Sequence, residues 1–229
     1  LGSNWLSTHA LGEYLLPLSS ILGSAIVIST LFLITRGFGK EGITYLLLAG
    51  IAVNAFAGVG IGILTYMSND SELRGLTFWT MGSFGGSNWR IILLAGFVII
   101  VTIIWMIQNG RDLDILQLGE FEAYRLGIDI YRLRFNVIIS SAIIVGVSVS
   151  LAGMIGFVGL VVPHLTRMVG GVNHKYLLPG SALFGAILMV IADLIARTMI
   201  KPAELPVGLI TSAIGSPFFL WLIFRMRMR

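Results

Sequence analysis

The chain has 229 residues, of which 56% are hydrophobic and only 11% charged, too little polar surface to coat a water-soluble globule. It has no cysteine, which excludes disulfides and thiolate metal sites, and in so apolar a chain the net charge of +4 reports membrane orientation, not nucleic-acid binding. A hydrocarbon core of roughly 30 Å takes about 20 apolar residues of helix, and backbone groups in lipid must be satisfied within each segment, so the long apolar runs predict an all-α, polytopic transmembrane bundle.

Seven spans are predicted, at Leu18 to Arg36, Ile43 to Met67, Ile91 to Ile107, Phe135 to Ala152, Gly156 to Val169, Tyr176 to Ile200 and Val207 to Phe224, the fifth being short. In the second, Gly50, Asn54, Gly58 and Gly62 recur every four residues, a small or polar stripe suited to close approach of another backbone. The functional alternative is that Asn54 lines a water-filled path. Ser68 to Asn88 is the main loop on one side, and its Gly82-Ser-Phe-Gly-Gly-Ser87 asks for tight turns.

Nine charged residues fall between Arg111 and Arg134, an interruption set among apolar runs long enough to cross a bilayer. Its middle, Leu116-Gln-Leu-Gly-Glu-Phe-Glu-Ala-Tyr-Arg-Leu-Gly127, reads as a short amphipathic helix stopped by glycine, so residues 111–134 form a structured handle. Glu122 and Arg125 are spaced to pair at i, i+3, and Phe121 and Tyr124 share a face that fits a partner's groove. Gly127 should end the helix in a left-handed cap before Ile128 to Tyr131 makes a second short turn. A membrane body holding out one handle suggests a transporter driven by an engine made elsewhere; a solvated surface helix is the plain alternative.

The fourth span carries Ser140, Ser141, Gly146, Ser148, Ser150 and Gly153, a composition for close packing. In Met154-Ile-Gly-Phe-Val-Gly-Leu-Val-Val-Pro-His-Leu-Thr-Arg167, two glycines and a proline predict a helix broken and restarted, with Pro163 near the first turn of the new piece and Gly156 and Gly159 permitting close helix approach. His164 stands without ligand-spaced company: His9 and His174 lie in other segments, so a structural histidine is expected and no metal site is assigned. Asp193 and Arg197, four apart, share one helical face. A lone charge mid-membrane costs about 2.5 to 3.5 kcal/mol on insertion scales, so pairing is the economical arrangement, and Arg197 lies one turn from the end where it could meet an external protein.

Arg36-Gly-Phe-Gly-Lys40 lacks phosphate-loop spacing, and neither G-x-S-x-G nor H-E-x-x-H occurs, so no catalytic residue is assigned. Alternating the spans puts Arg36, Lys40, Arg111, Arg125, Arg132, Arg134, Arg167, Lys175, Arg225, Arg227 and Arg229 on one side and Arg74, Arg90, Arg197 and Lys201 on the other. The first side is therefore cytoplasmic, with the C-terminus there and the N-terminus outside. Trp5, Trp79 and Trp89 then fall near the outer interface, Trp105 and Trp221 near the inner one. The chain begins at Leu1 without a basic n-region, so no secretory signal is recognised and a preceding part is expected.

Phe78-Trp-Thr-Met-Gly-Ser-Phe-Gly-Gly-Ser-Asn-Trp89, Leu118-Gly-Glu through Leu126-Gly127, Gly153 through His164, Ala192-Asp193 through Arg197, and Glu204-Leu-Pro-Val-Gly208 resemble, in order, the FecCD-type permeases. These are the membrane subunits of ATP-binding-cassette importers for ferric siderophores, haem and cobalamin. The resemblance implies one permease domain over 1–229, similar to the last seven of the family's ten spans, in a bacterial cytoplasmic membrane. It implies that Gly119, Glu120, Phe121, Glu122, Tyr124, Arg125, Leu126 and Gly127 form the coupling helix seated in the ATPase subunit. It implies that Arg197 pairs with a glutamate of the external substrate-binding protein. A second permease subunit and two ATP-binding subunits complete the assembly, with ATP and Mg on those subunits and no cofactor on this chain. The rival class, a proton- or sodium-driven transporter, would place ionisable groups near the midplane, where Asp193 is the sole candidate and Arg197 neutralises it. A scaffold without transport would leave the handle unexplained.

Overall fold

The structure, a computed structural model, describes residues 12–35, 42–85, 88–200 and 204–227. Trp5, His9, Arg36, Lys40, Ser87, Lys201 and Arg229, used above, lie outside the described residues. The described residues form helices and turns without a strand: α1 Gly12–Thr35, α2 Gly42–Met67, α3 Asp70–Met81, α4 Trp89–Gln108, α5 Gly110–Leu116, α6 Glu120–Arg125, α7 Ile130–Ala152, α8 Val158–Gly170, α9 His174–Met199 and α10 Val207–Arg227. Five contain stretches long and apolar enough to cross a membrane, Leu47–Met67, Trp89–Gln108, Ile130–Ala152, His174–Met199 and Val207–Arg225, and Ser19–Leu31 is a shorter apolar stretch. Two groups pack side by side: α7 lies between α1 and α4, and α9 lies against α8, α10 and α4.

α1 reaches α7 because Gly146 has no side chain. A Cβ there would lie 3.0 Å from Ile21 Cα, and Ser24 Oγ donates to the Ala142 carbonyl at 3.0 Å. Gly146 is thus a packing position and Ser140 is buried, whereas Ser148 is exposed. The stripe of α2 is not matched in this way: Gly50, Gly58 and Gly62 meet nothing within 4 Å of an added Cβ, and Asn54 is exposed.

The expected break occurs, but its details differ. α7 ends at Gly153, φ +69°, and α8 restarts only at Val158 after Phe157, a non-glycine residue at φ +66°. Pro163 is therefore the sixth residue of α8 and lies beyond its first turn, and the helix, 13 residues or about 20 Å, is shorter than a bilayer core. Gly156 and Gly159 do not carry the close approach: an added Cβ would find only Ser212 Oγ at 3.9 Å, and nothing, respectively. The tight junction lies at Gly82, Gly153 and Gly208. A Cβ on Gly153 would overlap the Trp79 carbonyl and one on Gly208 the Met81 carbonyl, while at Gly82 it would fall 2.7 Å from the Met154 oxygen. Backbone bonds close the knot, Ser83 N–H to Ala152 O at 2.8 Å and Met154 N–H to Trp79 O at 3.1 Å, so part of the irregular chain's hydrogen bonding is met within the protein. Trp79 belongs to this knot, its indole nitrogen buried, and is not an open interfacial anchor.

The loop after α2 contains α3, which the sequence reading passed over. Asn69 Oδ1 accepts from Glu72 N–H at 3.0 Å and Glu72 Oε2 from Asn69 N–H at 3.2 Å, a capping box.

The handle is two helices, not one. α5 ends before Gln117, Gly119 turns at φ +107°, and α6 begins at Glu120. Gly127, φ +83°, ends α6 as expected: Ile128 N–H bonds Ala123 O and Gly127 N–H bonds Tyr124 O, both at 3.0 Å, a complete Schellman cap. Ile128 to Tyr131 is no separate turn. Asp129 caps α7 through Arg132 N–H at 3.0 Å.

Both handle helices are fastened to the bundle. Asp114 Oδ1 accepts the His174 amide at 2.8 Å and faces His174 Nδ1 at 2.7 Å; Gln117 Nε2 donates to Val172 O at 3.2 Å. Glu120 pairs with Arg134, and Asn136 Nδ2 donates to Asn109 Oδ1 at 3.2 Å. Burial pushes the Asp114 carboxyl up, yet the amide, ring and charge of His174 together outweigh it and hold the group below its ordinary value of 3.8.

Two outcomes follow from these contacts. Gly153→Ala and Gly208→Ala should each lower the melting temperature of detergent-purified protein by an amount equivalent to about 1–3 kcal/mol or more, whereas Gly159→Ala should change it by less than about 1 kcal/mol; equal losses at 153 and 159 would refute the knot. A carboxylate with a depressed folded pKa stabilises fully above its unfolded value and ceases to do so as pH falls through the folded one. The melting-temperature gap between parent and Asp114→Asn should therefore be full at pH 7 and close only below about pH 3.9. A gap closing near pH 6 would show that Asp114 is not the group responsible.

Candidate functional site

The handle is two-sided. Ala123 is fully buried against the bundle, while Leu118, Phe121, Tyr124 and Leu126 turn outward, Phe121 and Tyr124 at 71% and 73% exposure. Glu122 and Arg125 pair at 3.5 Å, as their spacing predicts, and the Arg125 guanidinium stands 5.8 Å from the Phe121 ring centroid. Charge thus rims an apolar platform. Beside it, Leu113, Leu116, Gln117, Arg167, Val172 and His174 line an open cleft of about 380 Å³.

At the other end of the bundle, Arg197 Nε donates to Asp193 Oδ2 at 2.8 Å, the i, i+4 pair expected. A second carboxylate was not expected there: Glu204 Oε1 lies 3.7 Å from the guanidinium. Its place is set by the cluster of Ala192, Ala196 and Val207, on which Phe84 and Leu205 pack, and by Leu205 N–H bonding Ala196 O at 3.2 Å. Arg197 remains 45% exposed between its two acids. A planar guanidinium with open edges can still take a carboxylate from outside.

His164 packs edge-on against Phe218, ring centroids 6.4 Å apart. Among the described residues no three His, Asp or Glu side chains gather in a way that could hold a metal ion. The structure therefore separates the residues singled out from the sequence into four places. Gly119 to Gly127 form the handle, Arg197 stands at the opposite end, Gly156, Gly159 and Pro163 lie just before and within α8, and Gly50, Asn54, Gly58 and Gly62 lie along α2, Asn54 exposed and the three glycines with nothing within 4 Å of an added Cβ. Sequence reasoning missed Asp114, Gln117, Arg134, His174 and Glu204; only Asn173, an N-cap residue type directly before His174, signals the helix start at one of them.

A sequence profile described as the FecCD transport family matches residues 4–225. A hemin transport system permease protein of Yersinia pestis is 45% identical over 222 residues, 97% of this chain and 64% of that protein. A vitamin B12 import system permease protein of Vibrio cholerae is 47% identical over 180 residues, 79% of this chain and 54% of that protein. The chain thus spans less than two thirds of either relative's length. Among solved structures, a metal-chelate-type ABC transporter in an inward-facing conformation superposes with a TM-score of 0.78 at 31% identity, covering 93% of this chain and 72% of that one. With its motifs in order, its helices superposed and nearly all of its length matched, the chain belongs to the FecCD transport family.

Proposed function

We propose that this chain is the membrane-embedded part of a permease in an ATP-binding-cassette importer, moving a bulky metal chelate inward while a separate subunit hydrolyses ATP. The observation that carries the reading is the handle: an apolar platform of Leu118, Phe121, Tyr124 and Leu126 held out from the membrane body on a clamped base. Exposed aromatics on a rigid mount fit a groove in a soluble partner. The handle end is cytoplasmic, with the C-terminus on that side, and the partner there is the ATPase. The Arg197 mouth faces outward and receives a substrate-binding protein through a carboxylate. A second permease copy or homologue completes the pathway. For the cargo, the family resemblance points first to a ferric siderophore; the hemin and vitamin B12 named for the relatives support the wider class of a metal within a large organic ligand.

Phe121→Asp would bury a charge against the partner's apolar wall, so ATP-driven uptake by the assembled transporter should fall at least about tenfold while insertion survives. Normal uptake and normal substrate-stimulated hydrolysis in Phe121→Asp would end the coupling assignment. At the mouth, Arg197→Glu should slow association of the binding protein most at low ionic strength, where the Debye length approaches about 30 Å at 0.01 M, and Lys should rescue it only in part. Identical association rates for Arg197→Glu and the parent at low salt would reduce Arg197 to an intrachain partner of Asp193 and Glu204.

A further inference from the structure

α9 carries both ends of the proposed machine. Its first residue, His174, is gripped by the handle, and its last turns hold Asp193 and Arg197. The 23 positions between His174 and Arg197 amount to roughly 35 Å of helix. At the handle end the grip has several parts. Asp114 Oδ1 takes the amide and the ring nitrogen of His174 at 2.8 and 2.7 Å. Gln117 Nε2 reaches Asp114 Oδ1 and Val172 O, each at 3.2 Å. Gly110 lies so near that an added Cβ would touch His174 Cβ at 3.7 Å. Pro179, inside α9, lacks the N–H that would bond the Lys175 carbonyl, yet α9 runs unbroken from His174 to Met199. Leu177, before the proline, and Ala192 and Ala196, beyond it, are all buried, and the far turn is tied to Glu204.

We propose that the Asp114–His174 contact is the joint through which displacement of the handle reaches α9 and, along it, the guanidinium of Arg197. Asp114 and His174 are then positioning residues for communication between the ATPase and the binding protein. The inference rests on the reading of the two ends given above. It names which of the handle's anchors transmits: the α5 grip on α9, not the Glu120–Arg134 contact of α6 with α7.

The test uses the assembled transporter in lipid nanodiscs, with binding-protein affinity measured with and without ATP under non-hydrolysing conditions. Coupling between two sites is reciprocal and ordinarily at least about fivefold, so ATP should change the parent's Kd by that factor or more. His174→Ala should reduce the ATP effect to below about twofold. It should leave the nucleotide-free Kd and the co-purified ATPase unchanged, which also reports that the variant is folded. His174→Asn places an amide nitrogen where Nδ1 stands and should restore the effect. Should His174→Ala fail to assemble, Asp114→Asn, which keeps shape and loses charge, is expected to show the same loss. An undiminished ATP effect in His174→Ala, or equal loss in the Ala and Asn variants, would overturn the joint. A parent complex that binds neither ATPase nor binding protein would overturn the proposed function itself, and the joint with it.

Discussion

A peptide group in hydrocarbon has no water to turn to, and this requirement bears on the break between α7 and α8. Between Ala152 and Val158 the chain leaves helical geometry, and two of its backbone groups are met across the junction, Met154 N–H by the Trp79 carbonyl at the end of α3 and the Ala152 carbonyl by Ser83 N–H just beyond it. Three glycines make this possible, since carbonyl oxygens of Trp79, Met81 and Met154 occupy the space where side chains would begin. The junction joins α3, α7 and α10, and it adjoins the cluster of Ala192, Ala196 and Val207 that seats Glu204 beside Arg197. The geometry around Arg197 is thus built next to this backbone junction.

At the other end the governing balance is between what is fixed and what is offered. Asp114, Gln117, Glu120 and Asn109 face the bundle and find partners there; Phe121 and Tyr124 face away and stay largely exposed, with only Arg125 over the Phe121 ring. For the coupling role proposed above, a mobile surface would dissipate a partner's push, and a clamped surface without apolar area would not hold the partner. The separation of polar anchors inward and apolar contacts outward meets both needs with fewer than twenty residues, and the left-handed Gly127 closes α6 in time for Asp129 to begin α7.

The membrane helices were legible because hydrophobic runs of bilayer length have few other uses, and Glu122–Arg125 and Asp193–Arg197 were legible because helical spacing alone brings them together. The helix α3 was within reach: Asn69 and Glu72 carry a capping signal that the predicted loop obscured. Asp114 and His174 were not, being sixty positions apart and joined only once α5 and α9 have packed. Glycine was misread for a related reason. Periodicity marks where a small residue lies on a helix, not which other backbone arrives there, so Gly156 and Gly159 stood out while the crowding falls on Gly153, Gly208 and Gly215.

The last of these has a mechanical meaning. Phe157 holds an unfavourable left-handed backbone at the entrance to α8, and its side chain fills the space over Gly215 of α10 so closely that no Cβ fits there. Turning α10 about its axis by even one position would bring a side chain against the ring, and packed interiors resist such overlap steeply. α8 and α10 are therefore geared: whatever rotation the second half of the bundle undergoes during a transport cycle, these two helices must turn together or first disengage at Phe157.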